Sequence, residues 1–422
     1  PMSTIISNPK LWAPGVGNLY DLTVSACSAG VCDAVSSYVG MRTVSLLPFT
    51  VPATQPTGPQ AGIDRSGQDF PGMPVTSTDV NACWGLCNTT SGCMAWSFGI
   101  PSCGNDPANG QCWIKTGVPG TSAQPCRVSG VQGTPAAPGV RPAINGVYTF
   151  LMGVLDQAYM PDALYSHATD AAMLNDLTST TALGFNTIRL HQKVQPQRWY
   201  WYTDSMGIVV LQDAVQKYGG ATPATIPYFM ADLQVAMDTT ANHPSRISTE
   251  VWNEEDCEGQ WNSTAKAAVV AWVAAYDRTR LVDTDSGGPG NDLGIGDFND
   301  VHTYPNPGPP ATSATQVAMV GEFFGVGAFV PGHEWVVDGC YAYETVATPA
   351  DEASVYIGMA QTLLDASSSL SVAIATQITD VEEECDGFLT YDRFNKFNAT
   401  QVAAIRAANL ALLARAAAAA AV

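Results

Sequence analysis

The stretch ISTEVWNEEDCEGQWN, residues 247–262, decides how the rest of the chain is read. It opens with a strand-like run, ISTEVWN. Five carboxylates (Glu250, Glu254, Glu255, Asp256 and Glu258) fall within nine residues, in a chain of which 13% is charged. A short acidic cluster is ordinarily a solvated loop. The surroundings of this one alter that weighing. From about residue 141, apolar runs of strand length recur: VYTFLMGVL, NTIRLH, GIVVLQD, ISTEVWN, RLVDTD, DVHTYP, VAMVGEF and SVAIATQ. Helical stretches such as DAAMLNDLTSTTALG, YFMADLQVAMDTTA and STAKAAVVAWVAAY lie between several of them. Strands alternating with helices in this way predict an α/β fold, a (β/α)₈ TIM barrel rather than an open doubly wound sheet. No GxGxxG or GxxxxGK[ST] loop supports a nucleotide fold.

The chain of 422 residues has room for a barrel of about 250 residues and one or two smaller units. It is 46% hydrophobic with a mean hydropathy near zero, enough for a large packed core. Its 18 basic and 38 acidic residues give a net charge of −20. That field repels phosphate backbones and anionic membrane surfaces, so nucleic acid is excluded as a partner and a neutral sugar is compatible. No window approaches 18 uncharged apolar residues, and the terminal ANLALLARAAAAAAV, broken by Arg415, reads as a helix end rather than a membrane span.

Eight of the 11 cysteines precede residue 127 and none forms a CxxC pair, which points to disulfides in an oxidising compartment. Sequons at Asn88, Asn262 and Asn398 point the same way, to a secreted, extracellular glycoprotein. The odd count leaves at least one thiol free or paired with another chain, which is compatible with self-assembly. Pro1 is not an initiator, so the chain reads as a processed or trimmed product.

Three regions differ in composition. Residues 1–49 alternate apolar and polar residues as half-buried β-sandwich strands do, and Cys27 and Cys32 flank a Gly-containing turn where they cross-link a hairpin. Residues 50–140 are rich in Pro, Gly, Ser and Thr at both ends and read as an insert with two linkers. Residues 141–422 carry the barrel pattern.

In such a barrel the residues just past each strand line one shared pocket. Strand four places Asn253 and Glu254 at its mouth. Strand seven, VAMVGEF, places Glu322 there, alone in an apolar run. A lone buried acid is costly unless it is paired or functional. Two carboxylates across a pocket are the machinery of glycoside hydrolysis, one protonated to release the leaving oxygen and one ionised. Acids on these strands also serve metal binding and enolisation in other barrels.

NPKLWAPGVGNLYDLTV followed by VSSYVGMRTV resembles the end of the immunoglobulin-like domain of glycoside hydrolase family 2, the family of β-galactosidases, β-mannosidases and β-glucuronidases. The likeness resumes at INGVYTFLMGVLDQAYMPDALY, GFNTIRLHQKVQPQRWYWYTDSMGIVVLQD and NHPSRISTEVWNEE. It runs on through DRTRLVDTDSGG, DVHTYPNP, VGEFFGVG and ATQITDVEEECDGFLTYDRF, covering residues 8–47 and 141–396 in order. It implies that Glu254 is the general acid/base and Glu322 the nucleophile of a retaining, double-displacement mechanism. Asn253 would bond the sugar 2-hydroxyl, and Tyr304 would hold Glu322 ionised. Arg189, His191 and His302 would form the polar floor, and Asp156, Gln157 and Asp213 would take sugar hydroxyls.

The plainer readings are an ion-pair role for Arg189 and core packing for the two histidines. The aromatic run Trp199–Tyr202 points all around a helix and reads mostly as packing, whereas Trp335, in a loop after strand seven, is a candidate sugar platform. Glu255, Asp256 and Glu258 remain loop acids. Against the family's pattern, the resemblance implies that the jelly-roll domain would be missing and the immunoglobulin-like domain cut. NEED and GEFF also depart from the family's NEG and GEFGG forms.

Residues 69–126 resemble an apple (PAN) module, a unit too small for a self-sufficient core and therefore stapled. Six cysteines allow fifteen pairings. The resemblance implies Cys83–Cys112 and Cys87–Cys93, with Cys103–Cys126 remaining, and a polysaccharide or extracellular protein as the module's partner. The pairing of Cys257, Cys340 and Cys385 is left open. The expectation is a secreted retaining β-glycosidase with a carbohydrate substrate, no cofactor and no metal cage. The competing class is a non-catalytic structural or adhesive assembly protein on the same barrel, or a lectin using the same pocket.

Overall fold

The computed structural model describes residues 5–51, 57–104, 106–132, 137–215, 222, 224–254, 263–288 and 294–420. The eight runs expected as strands form one parallel sheet: Leu151–Asp156, Thr187–Leu190, Val209–Asp213, Arg246–Asn253, Leu281–Ser286, Phe298–His302, Val317–Phe324 and Val372–Thr376. Numbered one to eight in chain order, they lie as five-four-three-two-one-eight-seven-six. This is the order of a sheet curled until its edges approach. The edges are strands five and six. Just before strand six, the Asp297 N–H donates to Val282 O at 2.7 Å, and the Asp297 carboxylate accepts from the Val282 N–H at 2.8 Å. The sheet is a nearly closed barrel.

Both faces of these strands are covered, as expected for short runs rich in Val, Ile and Leu. Inward, Leu151, Val209, Ile247, Leu281, Phe298, Val317 and Val372, residues from the starts of seven strands, pack with the fully buried Trp12. The Trp12 indole N–H donates to Asp204 O at 2.7 Å, closing the end of the barrel where the strands begin. Outward, Val154, Ile188, Leu190, Val210, Val320 and Ala375 meet Leu177, Trp199, Tyr356 and Leu363 from the surrounding helices.

Helices Asp170–Ala182, Gln197–Met206, Ile226–Thr239, Ser263–Tyr276, Pro349–Ala366 and Ala399–Ala420 follow strands one to four, seven and eight. Two start on threonine caps: Thr169 accepts from the Ala172 N–H and Thr348 from the Asp351 N–H. Among the described residues no helix links strand five to six or six to seven. The second link contains Pro305, Pro307, Pro309 and Pro310, which lack the N–H that a helix needs.

The chain's first strands depart from expectation. Tyr20–Ser28 and Val31–Val39 form an antiparallel hairpin closed by Cys27–Cys32, but it is exposed rather than half-buried, with Val31 76% accessible. No described element covers its faces. Its foot is held by Tyr38, whose hydroxyl lies 2.7 Å from Asp204 Oδ2 and 2.9 Å from His243 Nδ1. The next strand, Val44–Val51, pairs with Ala137–Ile144.

Between those two strands stands a five-stranded sheet, ordered Thr57–Asp64, Ser122–Val131, Ala95–Gly99, Gln111–Lys115, Val75–Thr76, with the helix Val80–Thr89 against it. Asp79 caps that helix, accepting from the Asn81 and Ala82 N–H groups. Cys83 and Cys87 are buried on its inner side, and the structure pairs Cys83–Cys112, Cys87–Cys93 and Cys103–Cys126.

A fifth disulfide, Cys340–Cys385, joins the loops after strands seven and eight. It spans 45 residues of sequence, a length at which a disulfide contributes about 2–4 kcal/mol by restricting the unfolded chain. Replacing both cysteines by alanine is expected to lower stability by that amount in urea titration; an unchanged midpoint would refute it. Cys257 and Asn262 lie outside the described residues, whereas Asn88 and Asn398 are exposed.

Candidate active site

The ends of strands four and seven, which carry the two acids, each include one left-handed residue. Glu254 follows the last residue of strand four with φ +56°, and Phe324 ends strand seven with φ +82°. Left-handed backbone at a non-glycine residue is strained and concentrates at functional sites. In front of Glu322, a Cβ on Gly321 would sit 2.2 Å from Asp300 Oδ2, so only glycine fits there.

The two carboxylates face each other. One oxygen each of Glu254 and Glu322 and one ring nitrogen of His302 all lie within 4.8 Å of one another. His302 Nδ1 is 2.9 Å from Glu254 Oε1 and 3.5 Å from Glu322 Oε2, and its Nε2 is 2.8 Å from the Ser286 hydroxyl. Among the described residues these three side chains form the group spaced to hold a metal ion. Glu322 also accepts from Tyr304 OH at 2.5 Å and Arg189 Nη1 at 2.9 Å. Burial alone would raise the Glu322 pKa, but His302, Arg189 and the Tyr304 bond outweigh it and hold the carboxyl below its ordinary value. Burial works against a charged His302, and Glu322, Glu254 and Asp300 raise it nonetheless.

Arg189 organises the floor. It is fully buried at the end of strand two and donates from Nε and Nη2 to Asp213 at 3.0 and 2.9 Å. The same Nη2 reaches Asn253 Oδ1 at 2.6 Å. His191 Nδ1 lies 3.0 Å from Asp213 Oδ2. Deeper in the barrel, burial pushes Glu250 up to about 8 and also raises Asp283 and Asp300.

Over this floor lies a pocket of about 210 Å³ lined by Gln157, His191, Asn253, Glu254, Tyr304, Glu322, Tyr341, Tyr343, Thr376 and Glu384, with Leu155 beneath. Tyr343 stacks on Tyr304 with ring centres 3.8 Å apart, and the Tyr304 hydroxyl also meets Thr376 Oγ1 at 2.7 Å.

The pocket brings together Glu254, Glu322, Asn253, Tyr304, His191 and Gln157, with His302 bonded to Glu254 beside it. Four expected sugar contacts are placed otherwise. Arg189 is walled in by its partners and takes the ion-pair role. Both oxygens of Asp213 are occupied by Arg189 and His191, so it orients the floor instead of meeting a hydroxyl. Asp156, 1% exposed, turns to the Ala158 N–H at 2.7 Å, away from the pocket. Trp335 is 47% exposed, packs edge-on against Tyr391 and is not part of the lining. Of the aromatic run, Trp199 and Tyr200 are buried and Trp201 is exposed. Sequence reasoning missed Tyr341, Tyr343, Thr376 and Glu384. The available signal was the position of Thr376 and Glu384 at or past the end of strand eight.

Comparison with known proteins agrees with this architecture. Residues 2–42 match the family described as glycosyl hydrolases family 2, and residues 63–115 match the PAN domain. A β-galactosidase of Lactococcus lactis is 24% identical over 152 residues, 34% of this chain and 15% of that protein. One of Photobacterium profundum is 25% identical over 153 residues, 34% of this chain and 14% of its own. The matched part thus spans about a seventh of these relatives' length.

Among solved structures, the β-D-glucuronidase of Dictyoglomus thermophilum superposes with a TM-score of 0.59 at 13% identity, covering 96% of this chain and 60% of that one. A family 2 β-galacturonidase of Eisenbergiella tayi bound to galacturonate gives 0.58, again at 13% identity and with the same coverage. At such identities the likeness speaks for the fold. The chain carries a family 2 segment and a PAN domain on a fold shared with family 2 enzymes.

Proposed function

We propose that the protein is a retaining β-glycosidase of the family 2 type that removes terminal β-linked sugars by double displacement. The observation that carries this reading is the approach of Glu254 and Glu322 to within 4.8 Å over a monosaccharide-sized pocket. Retaining enzymes hold their two carboxyl groups about 5–5.5 Å apart, whereas inverting enzymes leave room for a water between more distant ones. In this reading the scaffold is a (β/α)₈ TIM barrel at residues 141–422, with no helix after strands five and six among the described residues. Residues 1–49 are the end of an immunoglobulin-like β-sandwich, and residues 50–140 are the inserted PAN module with its linkers. Five disulfides support an extracellular, secreted setting, in which the module would bind a polysaccharide or a protein.

In the first step a Glu322 oxygen attacks the anomeric carbon as the C1–O bond to the leaving group breaks. The Tyr304 and Arg189 donors keep that carboxylate ionised and aimed. The pair of His302 Nδ1 and Glu254 Oε1 holds one proton, which Glu254 delivers to the departing oxygen. In the second step Glu254, now a carboxylate, takes a proton from water as the water attacks C1 and Glu322 leaves. Asn253, fixed by Arg189, offers its amide N–H to the 2-hydroxyl, a contact that strengthens in the transition state.

The relatives' names span neutral and uronic sugars, so they leave the glycone open between those two classes. Glu254→Gln is expected to lower kcat/KM on alkyl glycosides by about 10²–10⁴-fold, the usual share of general acid–base catalysis, and far less on 2,4-dinitrophenyl glycosides, whose leaving group needs no proton. Equal losses on both substrates would refute the acid/base role. A 2-deoxy-2-fluoroglycoside is expected to trap a covalent adduct on Glu322. Tight sugar binding without an adduct or turnover would mark a lectin instead.

A further inference from the structure

Beyond the two acids expected for hydrolysis, the pocket has a third carboxylate, Glu384, on its strand-eight side. We propose that Glu384 sets the glycone class: it takes a hydroxyl of a neutral hexose and excludes uronic acids. The proposal rests on the glycosidase reading above and deepens it.

Three observations point to a built recognition element rather than a loop acid that happens to reach inward. First, the carboxylate is held, because Glu384 Oε2 accepts from Gln157 Nε2 at 2.8 Å. Gln157 Nε2 also donates to Gln377 Oε1 at 3.0 Å, and Gln377 Nε2 to Asp386 Oδ1 at 3.0 Å. A chain of amides and carboxylates thus runs from strand one to strand eight.

Second, the backbone under Glu384 is clamped on both sides. Val381 and Glu384 exchange N–H···O bonds at 2.8 and 3.0 Å, and the Cys385 N–H donates to Tyr341 O at 2.8 Å. The next residue, Cys385, is buried and tied to Cys340. Its neighbours Glu382 and Glu383, in the same triple-Glu run, are exposed. A carboxylate fixed in this way can meet a ligand without first being ordered.

Third, the charge around it is one-sided. Among the described residues lining the pocket there is no Lys or Arg, while Glu254, Glu322 and Glu384 all face the same 210 Å³. The Arg189 guanidinium, which bonds the lining residues Glu322 and Asn253, is fully buried and committed to them and to Asp213, and the buried Lys396 ammonium is bonded to Asp380 and the Cys385 carbonyl. A uronic carboxylate would enter a small space already holding carboxylates and would find no Lys or Arg, only two imidazoles already bonded to carboxylates, His191 to Asp213 at 3.0 Å and His302 to Glu254 at 2.9 Å. A hexose hydroxyl would donate to Glu384 in a charge-assisted bond. Repulsion between two carboxylates about 5 Å apart in partly buried surroundings corresponds to roughly a hundredfold in binding.

The test uses the full chain and the isosteric Glu384→Gln, with kcat/KM measured on 4-nitrophenyl β-galactoside, β-glucoside and β-mannoside and on the β-glucuronide and β-galacturonide. The wild type is expected to favour its best neutral glycoside over either uronide by about a hundredfold or more. Glu384→Gln is expected to shrink that ratio at least tenfold, through a higher KM on the neutral sugar and a gain on the uronide. A wild type that prefers a uronide overturns the proposal, as does a ratio in Glu384→Gln within twofold of wild type. In either case the glycosidase reading stands. Calorimetry with a neutral iminosugar and its uronic counterpart repeats the comparison without turnover. If neither ligand binds and no fluoroglycoside adduct forms, both readings fall together. If the neutral ligand alone binds and Glu384→Gln erases the preference, the specificity role holds even without hydrolysis.

Discussion

Glu322→Gln is expected to lower kcat/KM by at least about 10⁴-fold and to abolish covalent labelling, with little change in fold. Arg189 and Tyr304 donate to different oxygens of Glu322. In the variant the amide oxygen keeps the Arg189 bond and the amide NH2 faces Tyr304, whose hydroxyl can accept from it while donating to Thr376 Oγ1, so the packing of the strand-seven mouth is preserved. What is lost is the negative oxygen that must bond to the anomeric carbon, and no described neighbour can replace it. Asp213 is bound to Arg189 and His191, and Glu384 is bound to Gln157 across the pocket. The stability change should remain below about 2 kcal/mol, in the range of a substitution that opens no cavity. Steady-state kinetics, intact-mass labelling and a urea titration on one preparation decide the matter. Full activity in the variant would end the nucleophile assignment.

Arg189→Met is expected to be the most destabilising single change in the site, by about 3–5 kcal/mol. It leaves two buried carboxylates, Asp213 and Glu322, without their cation. The sign of the pH dependence follows from the same pairing. Asp213 and Glu322 both have folded-state pKa values held below ordinary ones: burial acts against this, with Arg189 foremost at Asp213, and His302 and Arg189 at Glu322. Groups of this kind add stability that is present above the unfolded carboxylate range, near pH 4, and is lost as pH falls through the lowered folded values. Wild-type stability should therefore fall on acidification, and Arg189→Met should flatten that fall. In the variant the acid limb of kcat/KM should move to higher pH, because Glu322 has lost one of the groups keeping it ionised. Adding Asp213→Asn should recover part of the stability by removing one orphaned charge. A loss under about 1 kcal/mol, or an acid limb that does not move, would show that Arg189 is not the electrostatic anchor of the floor.

The eight barrel strands were legible because each is a short apolar run long enough to cross a barrel and covered on both faces. The two acids were legible for a related reason: Glu322 stands alone where apolar side chains surround it, and Glu254 follows a strand of the same kind. Other parts of the reading misled. The alternation in residues 20–39 describes a strand with one buried face, yet the hairpin's faces have no described cover. Alternation reports what a strand is suited to pack against, not whether a partner is in place. Asp156 and Asp213 were treated alike because both follow barrel strands, although one turns to a loop N–H and the other to an arginine.

Local periodicity and isolated acids in apolar runs thus determined the barrel's strands and its two principal carboxylates, because both signals are carried within a few consecutive residues. Only the tertiary structure decided that Arg189 belongs to Asp213, Glu322 and Asn253 rather than to a sugar, since that depends on strands 24, 133 and 64 residues apart meeting at one level of the barrel. It also decided that the third of three consecutive glutamates, and not the first two, enters the pocket. A turn, a disulfide and a glutamine from strand one's loop select it, and none of these can be read from the run EEE itself.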